Sequence, residues 1–271
     1  MKKYLNIFRT KQKTFLLGLG TQKAGTSWLH DFLQGIEGVN MGFSKEYHIF
    51  DRIEFEEYLM EPEFKKLKTI TTKEQIITSS NFLKRLSFVG NLNNYYEYFG
   101  GLLKEKRTFL TGDITPTYSL LSEMTLSSIK KNFQKRNIKV KVIFLMRDSV
   151  ERIWSAARMT KREGIADKKL IEVYQGKYDE MLTRYEKIIP KIRSIFSDND
   201  IYLNFYENLF NKNTIDEVTS FLSLPKQNPN LQKFVNKSDY EEIAESDRKI
   251  VEDYYSDTYS FMQDNFRNIL P

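Results

Sequence analysis

The stretch Thr14–Phe32 reads TFLLGLGTQKAGTSWLHDF, and the rest of the chain is organised around it. Phe15 to Leu19 is a short apolar run with the length and composition of a buried strand. A turn bearing Gly20 and Gly25 follows, and Thr26-Ser27 then open a helical pattern carried by Trp28, Leu29, Phe32 and Leu33. Strand, glycine-bearing loop and helix N-terminus together predict a phosphate cradle. Backbone N–H groups and the positive end of a helix dipole converge at such a junction. The nucleoside-triphosphate version of this loop is G-x-x-x-x-G-K-[ST]. Gly20 and Gly25 keep that spacing, but Thr26 stands where the lysine belongs, and the loop's only lysine is Lys23. That displacement, with the consecutive Thr26-Ser27, argues against both an ordinary turn and a triphosphate loop.

Composition narrows the field. A chain of 271 residues, 40% hydrophobic, is long enough for one sizeable core, and the absence of any linker or repeat predicts a single domain over 1–271. Residues 1–13 read as a basic N-terminal extension, and 53–103 as a helical insertion. Lysine and arginine number 42 against 36 acidic residues, a net charge of +6. That balance suits an anionic small molecule and is too weak to imply a nucleic-acid partner. The chain has no cysteine, which excludes disulfides, thiolate metal sites and a cysteine nucleophile, and its two histidines leave little for a histidine-based metal site. The opening MKKYLNIFRTKQKTF has no secretory apolar core, and no stretch approaches the ~18–20 apolar residues of a membrane span. A cytoplasmic location is the expectation.

Along the chain, strands are predicted at Gly38–Met41, Thr108–Gly112, Val140–Met146 and Ile201–Phe205, besides the first. Helices are predicted at Leu121–Phe133, Ser149–Arg162, Tyr178–Phe196, Thr214–Leu222 and Asp247–Phe266. Asp148 followed by Glu151 reads as a capping box at the start of the second of these. Alternating strands and helices require crossover connections. The fold class is therefore α/β, a P-loop-like three-layer arrangement with a mainly parallel central sheet flanked by helices. Ligands of such sheets bind beyond the carboxyl ends of the strands.

Three segments follow predicted strands and carry chemistry. The first, Gln22-Lys23-Ala24-Gly25-Thr26-Ser27, resembles the 5'-phosphosulfate loop of the sulfotransferases that use 3'-phosphoadenosine-5'-phosphosulfate (PAPS). The second, Arg147-Asp148-Ser149-Val150-Glu151-Arg152-Ile153-Trp154-Ser155, is similar to the same family's 3'-phosphate motif, R-D-P-x-x-R-x-x-S, with Ser149 in the proline position. Arg147 at a strand end offers a planar fork suited to phosphate oxygens. The third, Lys45-Glu46-Tyr47-His48-Ile49-Phe50-Asp51, is similar to the K-E-x-H-x-F-D region of heparan-sulfate-type and related bacterial members.

The resemblance implies a PAPS donor bound by Lys23, Ala24, Gly25, Thr26, Ser27 and Trp28 at its 5' side and by Arg147 and Ser155 at its 3'-phosphate. Lys237, near an expected closing loop, is a further ligand by the same resemblance. Glu46 is implied as the base, its pKa raised toward neutrality by partial burial. His48 would orient Glu46 or meet the acceptor, and Lys23 would stabilise the departing phosphate. No metal is expected. The acceptor would be a hydroxyl, or less readily an amine, of a carbohydrate or other small molecule. Asp113-Ile114-Thr115-Pro116-Thr117-Tyr118 is similar to the family's E-K-T-P-x-Y, but Ile114 replaces a lysine that faces anionic sugars, which counts against a glycosaminoglycan acceptor. The alternatives are a P-loop kinase or other NTP-using enzyme, and a non-catalytic nucleotide-binding protein on the same fold.

Overall fold

The structure, a computed structural model, describes residues 11–55, 61–162, 170–228 and 242–271. Its centre is a four-stranded, all-parallel sheet: β1 (Thr14–Gly20), β2 (Leu110–Ile114), β3 (Lys139–Met146) and β4 (Ile201–Phe205), in the order β2-β1-β3-β4. All seven residues of β1 are buried. Its side chains alternate between two cores, as the period of two in a strand demands. Phe15, Leu17 and Leu19 join Val142, Phe144 and Met146 on one face, while Leu16 joins Ile143 and Leu145 on the other. Both faces being covered explains why β1 and the second half of β3 read as near-continuous apolar runs.

Helices complete the outer layers. The first face carries Leu92–Lys104, Glu123–Gln134, Tyr185–Ile195 and the end of Ser256–Phe266; the second carries Thr26–Gln34 and Lys212–Phe221. Tyr95, Tyr96 and Phe99 of the aromatic run are core residues: Phe15 meets Phe99 edge-on at 5.0 Å and stacks on Phe133 at 3.9 Å. Those rings are packing, and they contribute through buried area.

Three predicted elements differ. Gly38–Met41 makes only an isolated bridge, Val39 to Leu110, because left-handed backbone at Gly38 (φ 88°) and Gly42 (φ 79°) leaves too little extended chain. The long helix expected at Tyr178–Phe196 is two helices, Lys177–Thr183 and Tyr185–Ile195, parted at Arg184 (ψ 72°). The Leu182 carbonyl beside that break accepts a hydrogen bond from Thr21, 161 residues away, at 2.8 Å. The terminal helix likewise divides into Glu245–Tyr254 and Ser256–Phe266 about Tyr255, which is fully buried and donates to the Tyr174 carbonyl at 2.7 Å. Local periodicity carries no sign of such tertiary anchors.

The strand order fixes where a ligand can sit. The chain leaves β1 for β2 on one side, then returns across β1 to place β3 on the other. The switch point lies between β1 and β3, and a crevice opens at their carboxyl ends. Two of the three motif segments follow those two strands.

Candidate active site

The loop after β1 is shaped by its backbone. Lys23 (φ 72°) and Gly25 (φ 78°) both adopt left-handed conformations, and Gly25 caps the helix Thr26–Gln34. A Cβ at Gly25 would lie 2.6 Å from Leu209 Cδ2 and 3.0 Å from the Tyr206 ring, so a side chain is excluded twice over. Ala24, Thr26 and Trp28 are buried, and Trp28 stacks on Phe32 with ring centroids 5.2 Å apart. Thr26 and Trp28, in the first turn of the helix, therefore offer a ligand their backbone N–H groups, while the Ala24 N–H bonds the Thr21 carbonyl at 3.3 Å and Lys23 and Ser27 are half-exposed. A left-handed lysine is a strained residue of the kind that collects at functional sites.

Arg147 ends β3 and reaches this loop directly. Its guanidinium donates to the Lys23 carbonyl (Nη1···O 2.9 Å), lies 4.5 Å from the centre of the Tyr206 ring, and stands 3.8 Å from Glu151. Its backbone is held at both polar atoms by Tyr185, whose hydroxyl donates to the Arg147 carbonyl at 2.9 Å and accepts from its N–H at 3.2 Å. The Arg147 Nε and the Ser149 Oγ are buried without a protein partner. Unpaired buried donors beside a loop of backbone N–H groups fit an anionic ligand. Asp148 accepts from the Glu151 N–H at 3.0 Å, but the Asp148 N–H donates to Glu207 at 3.2 Å and the Glu151 carboxylate pairs with Arg248 at 2.8 Å, so only one half of the expected capping box forms. Ser155, 8% exposed, lies farther along the same helix.

The Lys45–Asp51 segment approaches from the β2 side. Glu46 sits between two cations: Oε1 is 2.6 Å from Lys45 Nζ, and Oε2 is 3.1 Å from His48 Nε2. His48 (φ 54°) uses its other nitrogen on Asp51, Nδ1 to Oδ2 at 2.6 Å, and the fully buried Asp51 also accepts from Thr117. Lys45 donates in addition to Ser27 Oγ at 2.6 Å, which ties the segment to the first turn of the cradle helix.

Burial alone would raise Glu46, but hydrogen bonds from His48 and Lys45 and their charges outweigh it and hold the carboxyl at about 2. This corrects the expectation of a carboxyl raised toward neutrality: its exposure was judged from the sequence, its two cations were not. Burial would likewise lower His48, but Asp51 and Glu46 raise it to about 9.

A second buried carboxylate holds this segment in place. Asp113, at the end of β2, is fully buried, and burial pushes it up to about 6 despite hydrogen bonds that favour the anion. It accepts from Thr115 (2.6 Å), Tyr95 (3.0 Å) and Tyr118 (3.0 Å), while Tyr118 also accepts from the Ile49 N–H at 2.9 Å. The Asp113–Tyr118 segment thus acts as a mount for the Glu46 loop. Ile114 is itself fully buried.

The crevice therefore gathers Lys23, Ser27, Glu46, His48 and Arg147, with Ala24, Gly25, Thr26 and Trp28 as backbone; Lys237 lies outside the described residues. Sequence reasoning gave no role to Lys45, Asp51, Tyr206 or the Arg152–Asp179 pair. Arg152 is fully buried and bonds Asp179 at 2.8 Å, joining the helices Ser149–Arg162 and Lys177–Thr183. Asp51 carried a legible signal, its spacing of three from His48 within one quoted motif. Tyr206 carried one too, in Phe205-Tyr206-Glu207-Asn208-Leu209, which is similar to the family's Y-E-D-L; Asp179 carried none. Among the described residues, no group of side chains is arranged to hold a metal ion, and no helix is long and apolar enough to cross a membrane.

Comparison with known proteins rests on the fold and on a family profile. No curated protein matches the sequence significantly. Among solved structures, a sulfotransferase from Alicyclobacillus acidocaldarius is 14% identical with a TM-score of 0.64, covering 93% of this chain and 94% of its own. The sulfotransferase domain from the curacin biosynthetic pathway is 15% identical with a TM-score of 0.50, covering 92% and 98%. The corresponding domain of the Synechococcus PCC 7002 olefin synthase is 14% identical with a TM-score of 0.50, covering 90% and 94%. At such identities the likeness is one of fold. The profile described as the sulfotransferase domain matches residues 13–267, unbroken from the strand that feeds the Lys23 loop to the last helix. On that span the chain belongs to the sulfotransferase family, and is an enzyme of the transferase class.

Proposed function

We propose that the chain moves a sulfuryl group from PAPS to a hydroxyl, or less readily an amine, of a carbohydrate or other small acceptor. The observation that carries this reading is the 2.9 Å contact between Arg147 and the Lys23 carbonyl, which brings two anion-binding elements to one crevice. A nucleotide with a 5'-phosphosulfate and a 3'-phosphate needs two such elements; ATP does not. The backbone of Ala24–Trp28 and the ammonium of Lys23 would hold the 5' side, and Arg147 with Ser155 the 3'-phosphate.

In the proposed reaction the acceptor oxygen attacks sulfur, the bond from sulfur to the 5'-phosphate oxygen breaks, and adenosine 3',5'-bisphosphate leaves. Glu46 takes the acceptor proton, held in line by His48, whose ring is itself fixed by Asp51. Lys23 meets the charge that develops on the departing oxygen. Loose group transfer of this kind draws mainly on positioning and electrostatics. We read 1–271 as one domain, with 53–103 on the acceptor side and Lys237 as a further ligand of the nucleotide.

The test is calorimetric binding of adenosine 3',5'-bisphosphate in EDTA beside ATP with magnesium. Micromolar, metal-independent binding of the bisphosphate, weakened at least tenfold by Arg147→Ala, is the expected result. Tight binding of magnesium ATP with none of the bisphosphate would overturn the reading and favour an NTP-using enzyme.

A further inference from the structure

The Lys45 ammonium links the two halves of the crevice: it lies 2.6 Å from Ser27 Oγ in the cradle and 2.6 Å from Glu46 Oε1. We propose that Lys45 is a donor-responsive cation. With the cradle empty it occupies Glu46; when a sulfonated nucleotide enters, it turns onto the anionic group being transferred and releases Glu46 to the acceptor. The proposal rests on the PAPS reading above and adds an order to it, in which the base becomes available only once the donor is seated.

Three features of the geometry lead there. An ammonium has no lone pair, so Ser27 must accept from Lys45 and its own hydroxyl proton is directed elsewhere. Ser27 occupies the second position of the helix whose first-turn N–H groups line the cradle, so Lys45 already stands at the edge of the anion site. Lys45 and Glu46 are 28% and 31% exposed, so neither is locked in the core and the pair can part without unfolding the loop. The loop itself is held independently through Asp113, Tyr118 and Thr117, none of which touches Lys45 in this network.

The chemistry of the exchange is a competition between anions for one cation. The Glu46 carboxylate carries one unit of charge and keeps a second cationic partner, His48, when Lys45 leaves. The phosphosulfate brings two adjacent anionic groups to a site lined with N–H dipoles. A flexible four-carbon stem suits a cation that must serve two positions in turn.

A double-mutant cycle on nucleotide binding tests this. If Lys45 must leave Glu46 to meet the donor, then Glu46→Gln, which weakens its hold on Lys45, should tighten PAPS binding about three- to tenfold. It should leave adenosine 3',5'-bisphosphate, which lacks the sulfuryl group, within twofold. In a Lys45→Met background the tightening should vanish, and kcat should fall at least tenfold. Unchanged PAPS affinity in Glu46→Gln would overturn the switch. So would tightening that persists in Lys45→Met, since that is plain repulsion between Glu46 and the donor. If the unaltered chain bound neither nucleotide, the PAPS reading beneath the proposal would fall with it. Circular dichroism spectra of both variants, expected to match the parent, keep loss of folding apart from loss of the switch.

Discussion

The two halves of the crevice are built by different means. The cradle after β1 presents backbone: Ala24, Thr26 and Trp28 turn their side chains into the core, and Gly25 has none. The Glu46 loop presents side chains, held by Asp113 and Tyr118 at the Ile49 N–H and by Thr117 through Asp51 at His48. A backbone cradle is specified by spacing and by the positions that require glycine, so it tolerates side-chain changes around it. A network of side chains depends on every member, and it is where acceptor choice and proton handling can be adjusted.

The largest expected effects separate the halves by what they do to chemistry. Lys23→Ala and Glu46→Gln should each lower kcat by about 10²- to 10³-fold, the size typical of a lost electrostatic stabiliser or general base. Only Lys23→Ala should also weaken adenosine 3',5'-bisphosphate binding measured by calorimetry. Equal loss of nucleotide binding in both variants would mean that the division into halves is wrong.

A middle-sized effect is expected from Tyr118→Phe. The change removes the acceptor for the Ile49 N–H and one donor to Asp113, leaving buried groups unsatisfied at a cost of about 1–3 kcal/mol. Urea unfolding should read that loss. kcat should fall with it, while bisphosphate affinity stays within twofold because the cradle does not lean on this mount.

The smallest effect concerns pH. Lys45, His48, Asp51, Arg52 and Tyr178 are the charged or titratable groups around Glu46. His48, raised to about 9 in the fold from 6.5, contributes stability that is full below 6.5 and lost as pH rises through 9. Glu46, lowered to about 2 from 4.5, contributes stability that is full above 4.5 and lost as pH falls through 2. The ionic contribution of the loop is therefore greatest between 4.5 and 6.5. His48→Gln should narrow the stability gap from the parent toward pH 9 and widen it near pH 5–6. The parent should gain several-fold in kcat as His48 loses its proton and Glu46 becomes the stronger base, and His48→Gln should flatten that rise in a pH–rate profile.

The same contrast explains what could be read from the sequence. β1, β3 and β4 were legible because each is a short apolar run, and the helix Ser149–Arg162 because Asp148 marks its start. The cradle was legible from Gly20, Gly25 and the displaced Lys23. The electrostatic state of Glu46 was not, because it depends on which way the Lys45 and His48 side chains point. Nor was the break at Arg184, since Thr21 bonds the neighbouring Leu182 carbonyl across 161 residues. Spacing records the backbone; it records side-chain direction and distant contacts poorly.

Ile114 carries this contrast further. The E-K-T-P-x-Y segment that Asp113–Tyr118 resembles has a lysine in its place, yet Ile114 is fully buried, and a Cβ added to Gly18 on the neighbouring strand would meet it at 2.7 Å. A lysine grafted there would have to force an ammonium into a packed seam between β1 and β2. Placing a cation at this position is thus not one substitution but a coordinated rebuilding of two strands, Gly18 and Ile114 together.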